Sequence, residues 1–175
     1  LLLSAYFTYS MQLAYLLEKQ NAEIRVANTS FLIGEWIRGA FIATDYVLRD
    51  IVAEVPLSEI VYPAQDIEKH KSRSEYLEAK RKTLPNTILL GLFDKQCIVT
   101  HANSIVGFDA SSRKYCQENL ASHERETYIS HAHISNQGRL NVTQTRKLPQ
   151  GKSGEFSGFA ALGVDLTFFL SLIHI

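Results

Sequence analysis

Residues 11–53 contain no proline and have helical periodicity, and this stretch limits the possible folds of the chain more than any other feature. Its only glycines are Gly34 and Gly39, and helix formers such as Leu16 and Glu18 are frequent in it. Apolar residues recur at spacings of three and four, which fits the period of a helix and not that of a strand. A continuous helix of this length measures roughly 65 Å. Because one compact domain cannot cover so long a helix, we expect one end to project and the other to lie across a sheet.

The chain after residue 53 changes from helix signals to strand signals. Pro56 and Pro63 interrupt the first pattern, and a highly charged helical segment follows. Short apolar runs between polar turns then predict strands, the first two as a hairpin. The predicted elements are a helix over 64–82, a hairpin of 87–93 and 97–101, a short helix over 113–120, and strands over 128–134, 139–148 and 156–166. This order predicts an α+β fold, with the long N-terminal helix packed on a roughly five-stranded antiparallel sheet.

The charge balance limits the classes of partner. Lysine and arginine number 18 together, as do aspartate and glutamate. Nucleic-acid binding requires a basic excess, so we expect no nucleic-acid partner. No serine, histidine and aspartate stand in a catalytic frame, and His131 and His133 alternate on one strand without a third ligand. We therefore expect neither an enzyme nor a cofactor or metal site in this chain.

The two cysteines, Cys97 and Cys116, show no metal-ligand spacing. We interpret them as buried or free thiols. A disulfide between them would require an oxidising compartment. The sequence leaves their separation in space open.

Both ends of the chain are apolar. Residues 1–17 carry no charge and contain Tyr6, Tyr9 and Tyr15, and tyrosine is favoured where a helix leaves a bilayer. Residues 166–175 form a second apolar run. We expect this piece to be cut from a longer protein that flanking helices anchor in the membrane; ordinary core helix is the alternative.

Five segments of the chain match, in order, the pattern of a known family: 25–50, 84–94, 112–115, 138–148 and 156–169. Ser112-Arg113-Lys114-Tyr115 is similar to an Asp-Arg-Glu-Tyr-Phe segment of that family, and residues 138–148 are similar to its Gly-Arg-Trp strand. With these segments in this order, the chain resembles the Cache domain, the extracytoplasmic relative of the PAS fold.

The resemblance implies a PAS-like Cache sensor domain, with residues 1–55 as its long N-terminal helix and 56–175 as the remainder. Such domains are found in membrane-bound diguanylate cyclases (GGDEF proteins), histidine kinases and chemoreceptors. The implied location is the periplasmic part of an inner-membrane protein, and diguanylate cyclases are the look-alikes that we favour. The chain could be the first of two tandem modules.

The alternation of side chains across strands predicts a polar pocket face. On the strand over 139–148, Leu140 and Val142 share one face, while Asn141 and Thr143 share the other. We assign the apolar face to the long helix and the polar face to a ligand pocket.

The resemblance adds further pocket residues. Amino-acid-binding Cache domains use Arg-x-Trp, Tyr-x-Asp and a late aspartate, which resemble Arg113-x-Tyr115, Tyr128-x-Ser130 and Asp165. Tyrosine replaces the tryptophan and serine replaces the middle aspartate, which weakens the ammonium site. We therefore expect a small carboxylate or amino-acid-like ligand, because the arginine fork binds carboxylates bidentately. Alternatively, Arg113 only caps a helix or forms a surface salt bridge, and Asp165 only closes the last strand.

Two main hypotheses of function follow. The first is a ligand-sensing domain that relays a signal through its terminal helices. The second is a ligand-free structural or dimerisation module, in which two copies of the long helix could pair as a homodimer. A weaker third is a module that docks a periplasmic binding protein.

Overall fold

The computed structural model describes residues 2–122, 125–135, 138–150 and 155–167. The chain divides into two compact units, Leu1–Ile42 and Ala43–Ile175. The second unit contains the sheet and everything that positions the candidate site.

The first helix, α1 (Leu2–Glu54), confirms the helix predicted over 11–53 and begins earlier than predicted. In the first unit its large apolar side chains are exposed, among them Leu3, Tyr6, Phe7 and Tyr9. In the second unit, by contrast, Leu48 is fully buried. No helix among the described residues has both the length and the hydropathy needed to cross a bilayer.

Two further helices flank the start of the sheet. A short 3-10 turn (Leu57–Glu59) follows Pro56, and α2 (Ile67–Thr83) begins after Asp66, whose carboxylate accepts a hydrogen bond from the Lys69 amide at 3.1 Å. This capping contact satisfies one of the amides that the first turn of a helix leaves unpaired. The third helix, α3 (Lys114–Ala121), confirms the short helix predicted over 113–120.

Among the described residues the sheet is antiparallel and has six strands, which confirms the predicted fold class. Its path is β2-β1-β6-β5-β3, and β4 also pairs with β5. The strands are β1 (Thr87–Phe93), β2 (Val99–His101), β3 (Thr127–Ile129), β4 (His133–Ile134), β5 (Leu140–Lys147) and β6 (Phe159–Asp165).

The strand predicted over 128–134 is divided into β3 and β4. The Ser130 hydroxyl accepts a hydrogen bond from the Thr143 amide at 2.9 Å and donates one to the His131 carbonyl at 2.8 Å. The hydroxyl thus takes the amide that a backbone carbonyl would take in a regular ladder. This local side-chain competition with the backbone interrupts the strand.

The core on one side of the sheet lies beneath the segment from β2 to α3. The rings of Phe93 on β1 and Phe159 on β6 stack with centroids 4.6 Å apart, and Tyr115 of α3 meets both edge-on. Aromatic pairs in these arrangements contribute roughly 0.5–1.5 kcal/mol beyond their burial. They hold the start of α3 against the sheet.

A disulfide joins Cys97 to Cys116, so the interpretation as free thiols is wrong. The two Cα atoms lie 6.2 Å apart, which is within the range that a disulfide spans. Cys97 has a φ of 66°, which turns the chain between β1 and β2 toward α3. Disulfides persist in oxidising compartments, which fits an extracytoplasmic location.

Replacing both cysteines by alanine should lower the free energy of unfolding by roughly 3 kcal/mol, because the bond closes a loop of 19 residues in the unfolded chain. Urea unfolding followed by circular dichroism measures this difference. Dithiothreitol should destabilise the wild type by a similar amount and leave the double variant unchanged. Equal stability of the wild type with and without reductant would contradict the bond.

A histidine pair connects α2 to β2. The rings of His70 and His101 stack with centroids 4.5 Å apart, and His101 is 1% exposed. The Nε2 of His70 lies 2.6 Å from the Thr100 carbonyl, to which it donates. Burial, followed by the nearby positive charge of His70 and Arg73, lowers the pKa of His101 from 6.5 to about 4.

This pKa makes stability depend on pH. Between pH 6.5 and pH 4 the unfolded chain protonates His101 while the folded chain does not, so stability is fully present above pH 6.5 and falls as the pH approaches 4. The loss from this residue should reach up to about 3 kcal/mol. His101→Gln should show a correspondingly smaller loss in urea unfolding between pH 7 and pH 4.5. Identical pH dependence in the two proteins would rule the linkage out.

Candidate functional site

A cavity of about 50 Å³ lies between the sheet and the segment that leads into α3. A water-sized group needs roughly 10–15 Å³ by this measure, so the cavity accommodates a few such groups. Its lining residues are Ile88, Leu89, Ser104, Ile105, Phe108, Arg113, Tyr115, His133, Ser135, Asn141 and Thr143.

Arg113 stands at the N-terminal end of α3 and lines the cavity. Its backbone carbonyl accepts hydrogen bonds from the Cys116 and Gln117 amides, at 3.0 and 3.2 Å. Its guanidinium carbon lies 5.9 Å from the centroid of the Phe108 ring, in a cation–π contact. Among the described lining residues it is the only arginine, lysine, aspartate or glutamate, so the lining carries no carboxylate.

Tyr115 is the second residue of the same helix and is 8% exposed. Burial raises the pKa of its phenol to about 12, against a small opposing effect of the Arg113 charge. The phenol therefore stays protonated at neutral pH and can donate a hydrogen bond.

Asn141 and Thr143 reach the cavity from β5, on the face that strand alternation assigned to a pocket. Asn141 is 4% exposed, and its Oδ1 has no hydrogen-bond partner among the described residues. Gly163, opposite Thr143 in the ladder, leaves the amide room, because a Cβ there would lie 3.3 Å from the Asn141 Nδ2. A buried acceptor without a partner costs roughly 1–3 kcal/mol, so the site is poised for a donor from a ligand.

His133 also lines the cavity, and the sequence analysis considered it only as a metal ligand. Its Nδ1 lies 3.1 Å from the His131 carbonyl and so donates to it, which leaves Nε2 as an acceptor facing the Thr143 hydroxyl at 3.4 Å. His133 stands opposite Asn141, so the pairing of the two strands could have revealed that it lines the cavity. That pairing depends on the register of β4 with β5.

Three of the predicted ligand-binding residues do not line this cavity. Tyr128 packs against the aromatic core, and Ser130 is part of the interrupted ladder. Asp165 stands opposite Asn141 in the β5–β6 register, but its carboxylate accepts from the Thr167 amide at 2.8 Å and pairs with Arg139 at 3.3 Å.

The Asp165 pairing has an electrostatic consequence. Burial raises the pKa of Asp165, but the contacts with Thr167 and Arg139 outweigh it and hold the pKa below its usual value. Asp165 is therefore ionised at neutral pH and is part of a contact that closes the end of β6. Asp165 does not line the cavity that Arg113 lines.

The reverse face of β5 meets α1 through polar side chains. The Thr44 hydroxyl of α1 donates to the Gln144 amide oxygen, and Arg146 binds Asp45 at 3.0 Å and Glu126 at 3.0 Å. The expectation that Leu140 and Val142 form the contact with the helix thus needs correction: the two are half-buried, and Gln144 and Arg146 on the same face provide the hydrogen bonds. One face of β5 therefore lines the cavity, and its other face contacts α1.

The structure is similar to extracellular sensor domains. Similar structures are the extracellular domain assigned to the histidine kinase rpHK1S-Z16 (21% identity, TM-score 0.66, 84% of this chain and 58% of that chain) and the ligand-binding domain of the Campylobacter jejuni chemoreceptor Tlp3 in complex with L-norvaline (14%, 0.61, 81% and 56%). The V. cholerae histidine kinase DctB sensor domain is a third (15%, 0.61, 79% and 55%).

These comparisons define the fold. No protein-family model and no curated protein matches the sequence. The fold is that of the PAS-like, Cache-type sensor domains of histidine kinases, chemoreceptors and GGDEF proteins, which confirms the resemblance seen in the sequence. The chain spans only 55–58% of the length of the three similar structures described above.

Replacing Asn141 by leucine, which has a similar shape, should keep or raise the free energy of unfolding by up to about 1 kcal/mol, because an unpaired buried acceptor is removed. Urea unfolding measures this change. Thr145→Val is the matched control: the Thr145 hydroxyl accepts from Asn119 at 2.7 Å, so its loss should destabilise by about 1 kcal/mol. Destabilisation of Asn141→Leu beyond that of Thr145→Val would show that the Asn141 amide is already satisfied.

Proposed function

We propose that this chain is the extracytoplasmic sensing domain of a membrane-bound signalling protein and that it binds a small carboxylate or amino-acid-like molecule in the cavity between the sheet and α3. The observation that carries the proposal is the cavity itself. It combines one guanidinium, from Arg113, with the unpartnered Asn141 acceptor and with no carboxylate in the described lining.

The charge of the lining favours an anionic group on the ligand. Arginine presents a planar fork that matches a carboxylate, and the Arg113 guanidinium also makes a cation–π contact with Phe108. The protonated Tyr115 phenol supplies another donor. The unpaired Asn141 Oδ1 needs a donor from the ligand, which the hydroxyl of a hydroxy acid supplies. A ligand ammonium would also donate, but it would meet only neutral acceptors in the described lining. We therefore rank small hydroxy-carboxylates ahead of zwitterions.

The comparisons support this class of ligand. Structures of the Tlp3 domain carry L-norvaline, L-valine or isoleucine, each an amino acid with a short aliphatic side chain. A cavity of about 50 Å³ favours the smallest members of such a series. Ile88, Leu89 and Ile105 give it an apolar wall that suits a short aliphatic group.

β5 provides the route for the signal. A ligand that contacts Asn141 and Thr143 acts on a strand whose other face binds α1 through Gln144 and Arg146. Different affinities for two arrangements of this strand would shift their populations. The shift would pass to α1 and to the end of β6, and then to helices in the membrane.

Our proposal for the output is a diguanylate cyclase. A similar domain belongs to a sensory box/GGDEF family protein from Vibrio parahaemolyticus (10% identity, TM-score 0.58). Histidine kinases and chemoreceptors carry similar domains too. The choice of a diguanylate cyclase as the output domain rests on the resemblance seen in the sequence.

A thermal-shift screen of acetate, propionate, lactate, glycine and L-valine tests the proposal. At a concentration 100-fold above Kd, a ligand should raise Tm by roughly 5–10 °C. Arg113→Ala should abolish the shift. Arg125→Ala, which removes an exposed arginine outside the cavity, is the matched control and should retain it.

Hydrogen exchange then tests the relay. A ligand that raises Tm should slow amide exchange in β5 and in the part of α1 that contacts it, and Arg113→Ala should remove both effects. A ligand whose Tm shift survives Arg113→Ala would remove this cavity from the proposal.

A ligand-free dimerisation module is the second candidate function, because the part of α1 that lies in the first unit exposes large apolar side chains. Phe31, Leu32 and Trp36 are 67%, 66% and 42% exposed. Sedimentation equilibrium at several concentrations discriminates the two functions. A strong dimer with no ligand in the screen favours the second candidate, and a ligand that depends on Arg113 favours the first.

A further inference from the structure

The cavity between the sheet and α3, which Arg113 and Asn141 line, is called the sensing cavity below. A second depression, separate from it, lies where α2 and β6 end. Its volume is about 360 Å³. Its lining residues are Arg81, Lys82, Leu84, Asn86, Thr87, Ile88, Arg139, Asp165 and Thr167. Ile88 also lines the sensing cavity, so the two lie next to each other but share no polar side chain.

The depression has an excess of positive charge. Arg81, Lys82 and Arg139 line it, and Asp165 is the one carboxylate among the described lining residues. Glu78 lies beside it and brings the local balance to three cations and two anions. A concave surface with this balance attracts anions.

Arg81 is held in place by its neighbours. Its Nε and Nη2 each donate to Glu78 at 2.7 Å, and its Nη1 donates to the Thr87 carbonyl at 2.7 Å. The side chain is 23% exposed. An ordered guanidinium at the wall of a depression costs little entropy when it binds a further anion.

Thr87 supplies an independent observation that points to a ligand. It is 5% exposed, and its hydroxyl has no hydrogen-bond partner among the described residues. A buried hydroxyl in this state needs an explanation, such as a bound ion or water. Because hydroxyls donate well to oxyanions, an oxygen atom of an anion in the depression would satisfy it.

The ion pair across the depression is weak enough to yield to a ligand. Arg139 lies 3.3 Å from Asp165, and its side chain is 48% exposed. Exposed ion pairs contribute roughly 0–1 kcal/mol, and this pair is exposed on the Arg139 side, while the Asp165 side chain is 15% exposed. Asp165 keeps its hydrogen bond from the Thr167 amide when Arg139 turns toward another anion.

We infer that this depression binds a phosphate group, either as the free ion or as part of a phosphomonoester. The inference does not depend on the proposed sensing function. Arg139 and Lys82 supply the opposing charge, Arg81 supplies a fixed edge, and the Thr87 hydroxyl donates to one phosphate oxygen. Phosphate carries roughly 1.5 to 2 negative charges at neutral pH, which suits several cations better than a monocarboxylate does.

Calorimetric titration with inorganic phosphate, and separately with glycerol 3-phosphate, tests the inference at constant ionic strength. Arg139→Gln should raise Kd by about tenfold or more, because a charge-assisted contact is lost. Arg125→Gln, which removes an exposed arginine outside the depression, should leave Kd unchanged. Tighter binding of one probe assigns the source of the phosphate.

Thr87→Val keeps the shape of the side chain and removes the unpaired hydroxyl, so it should fold and bind phosphate more weakly. Arg113→Ala should bind phosphate as the wild type does, which separates this site from the sensing cavity. The inference is overturned if neither probe binds at tens of millimolar, or if Arg139→Gln and Thr87→Val both keep the wild-type Kd.

Discussion

The register of β5 against β6 is the constraint on which the candidate site depends. It sets Asn141 opposite Asp165 and Thr143 opposite Gly163. A shift by one residue would exchange the faces of the strand, turning Gln144 toward the cavity and Thr143 toward α1. The ladder of β1 with β6 then fixes Phe93 opposite Phe159, and these rings place α3 through Tyr115. The cavity, the helix contact and the aromatic core all follow from these two ladders.

β5 is unusual in carrying buried polar side chains on both faces. Strands that separate a core from solvent alternate between apolar and polar residues. Here one face carries Asn141 and Thr143, and the other carries Gln144 and Arg146, with each of the four less than 10% exposed. Buried polar groups are tolerated where they find partners, and the helix face has them in Thr44, Asp45 and Glu126. On the cavity face, the Asn141 oxygen has no partner among the described residues. A strand that binds a ligand needs such a difference: satisfied polar groups on the face that packs and an unsatisfied one on the face that binds.

The polar groups that remain unsatisfied are informative about function. Asn141 and Thr87 each have a buried oxygen atom without a partner among the described residues, and each lines a depression with at least one arginine. Stability alone would select apolar residues at both positions, because a lone buried polar atom destabilises a fold. Beside the cations, the Thr87 hydroxyl can donate to an anion, whereas the Asn141 oxygen needs a ligand that also carries a hydrogen-bond donor.

The helices and strands, the antiparallel α+β fold and the polar pocket face of β5 could be predicted from the sequence alone. These features depend on local periodicity, which follows from the geometry of a single helix or strand. Even so, the alternation that assigned Asn141 and Thr143 to a pocket could not show that Ser130 interrupts the neighbouring strand. Three-dimensional contacts were needed to show that Cys97 is bonded to Cys116, that Asp165 pairs with Arg139, and that His133 and Phe108 line the cavity. Each of these contacts joins residues that are far apart in the chain. Whether such residues meet depends on strand register and side-chain rotation, and local sequence patterns carry no information on either.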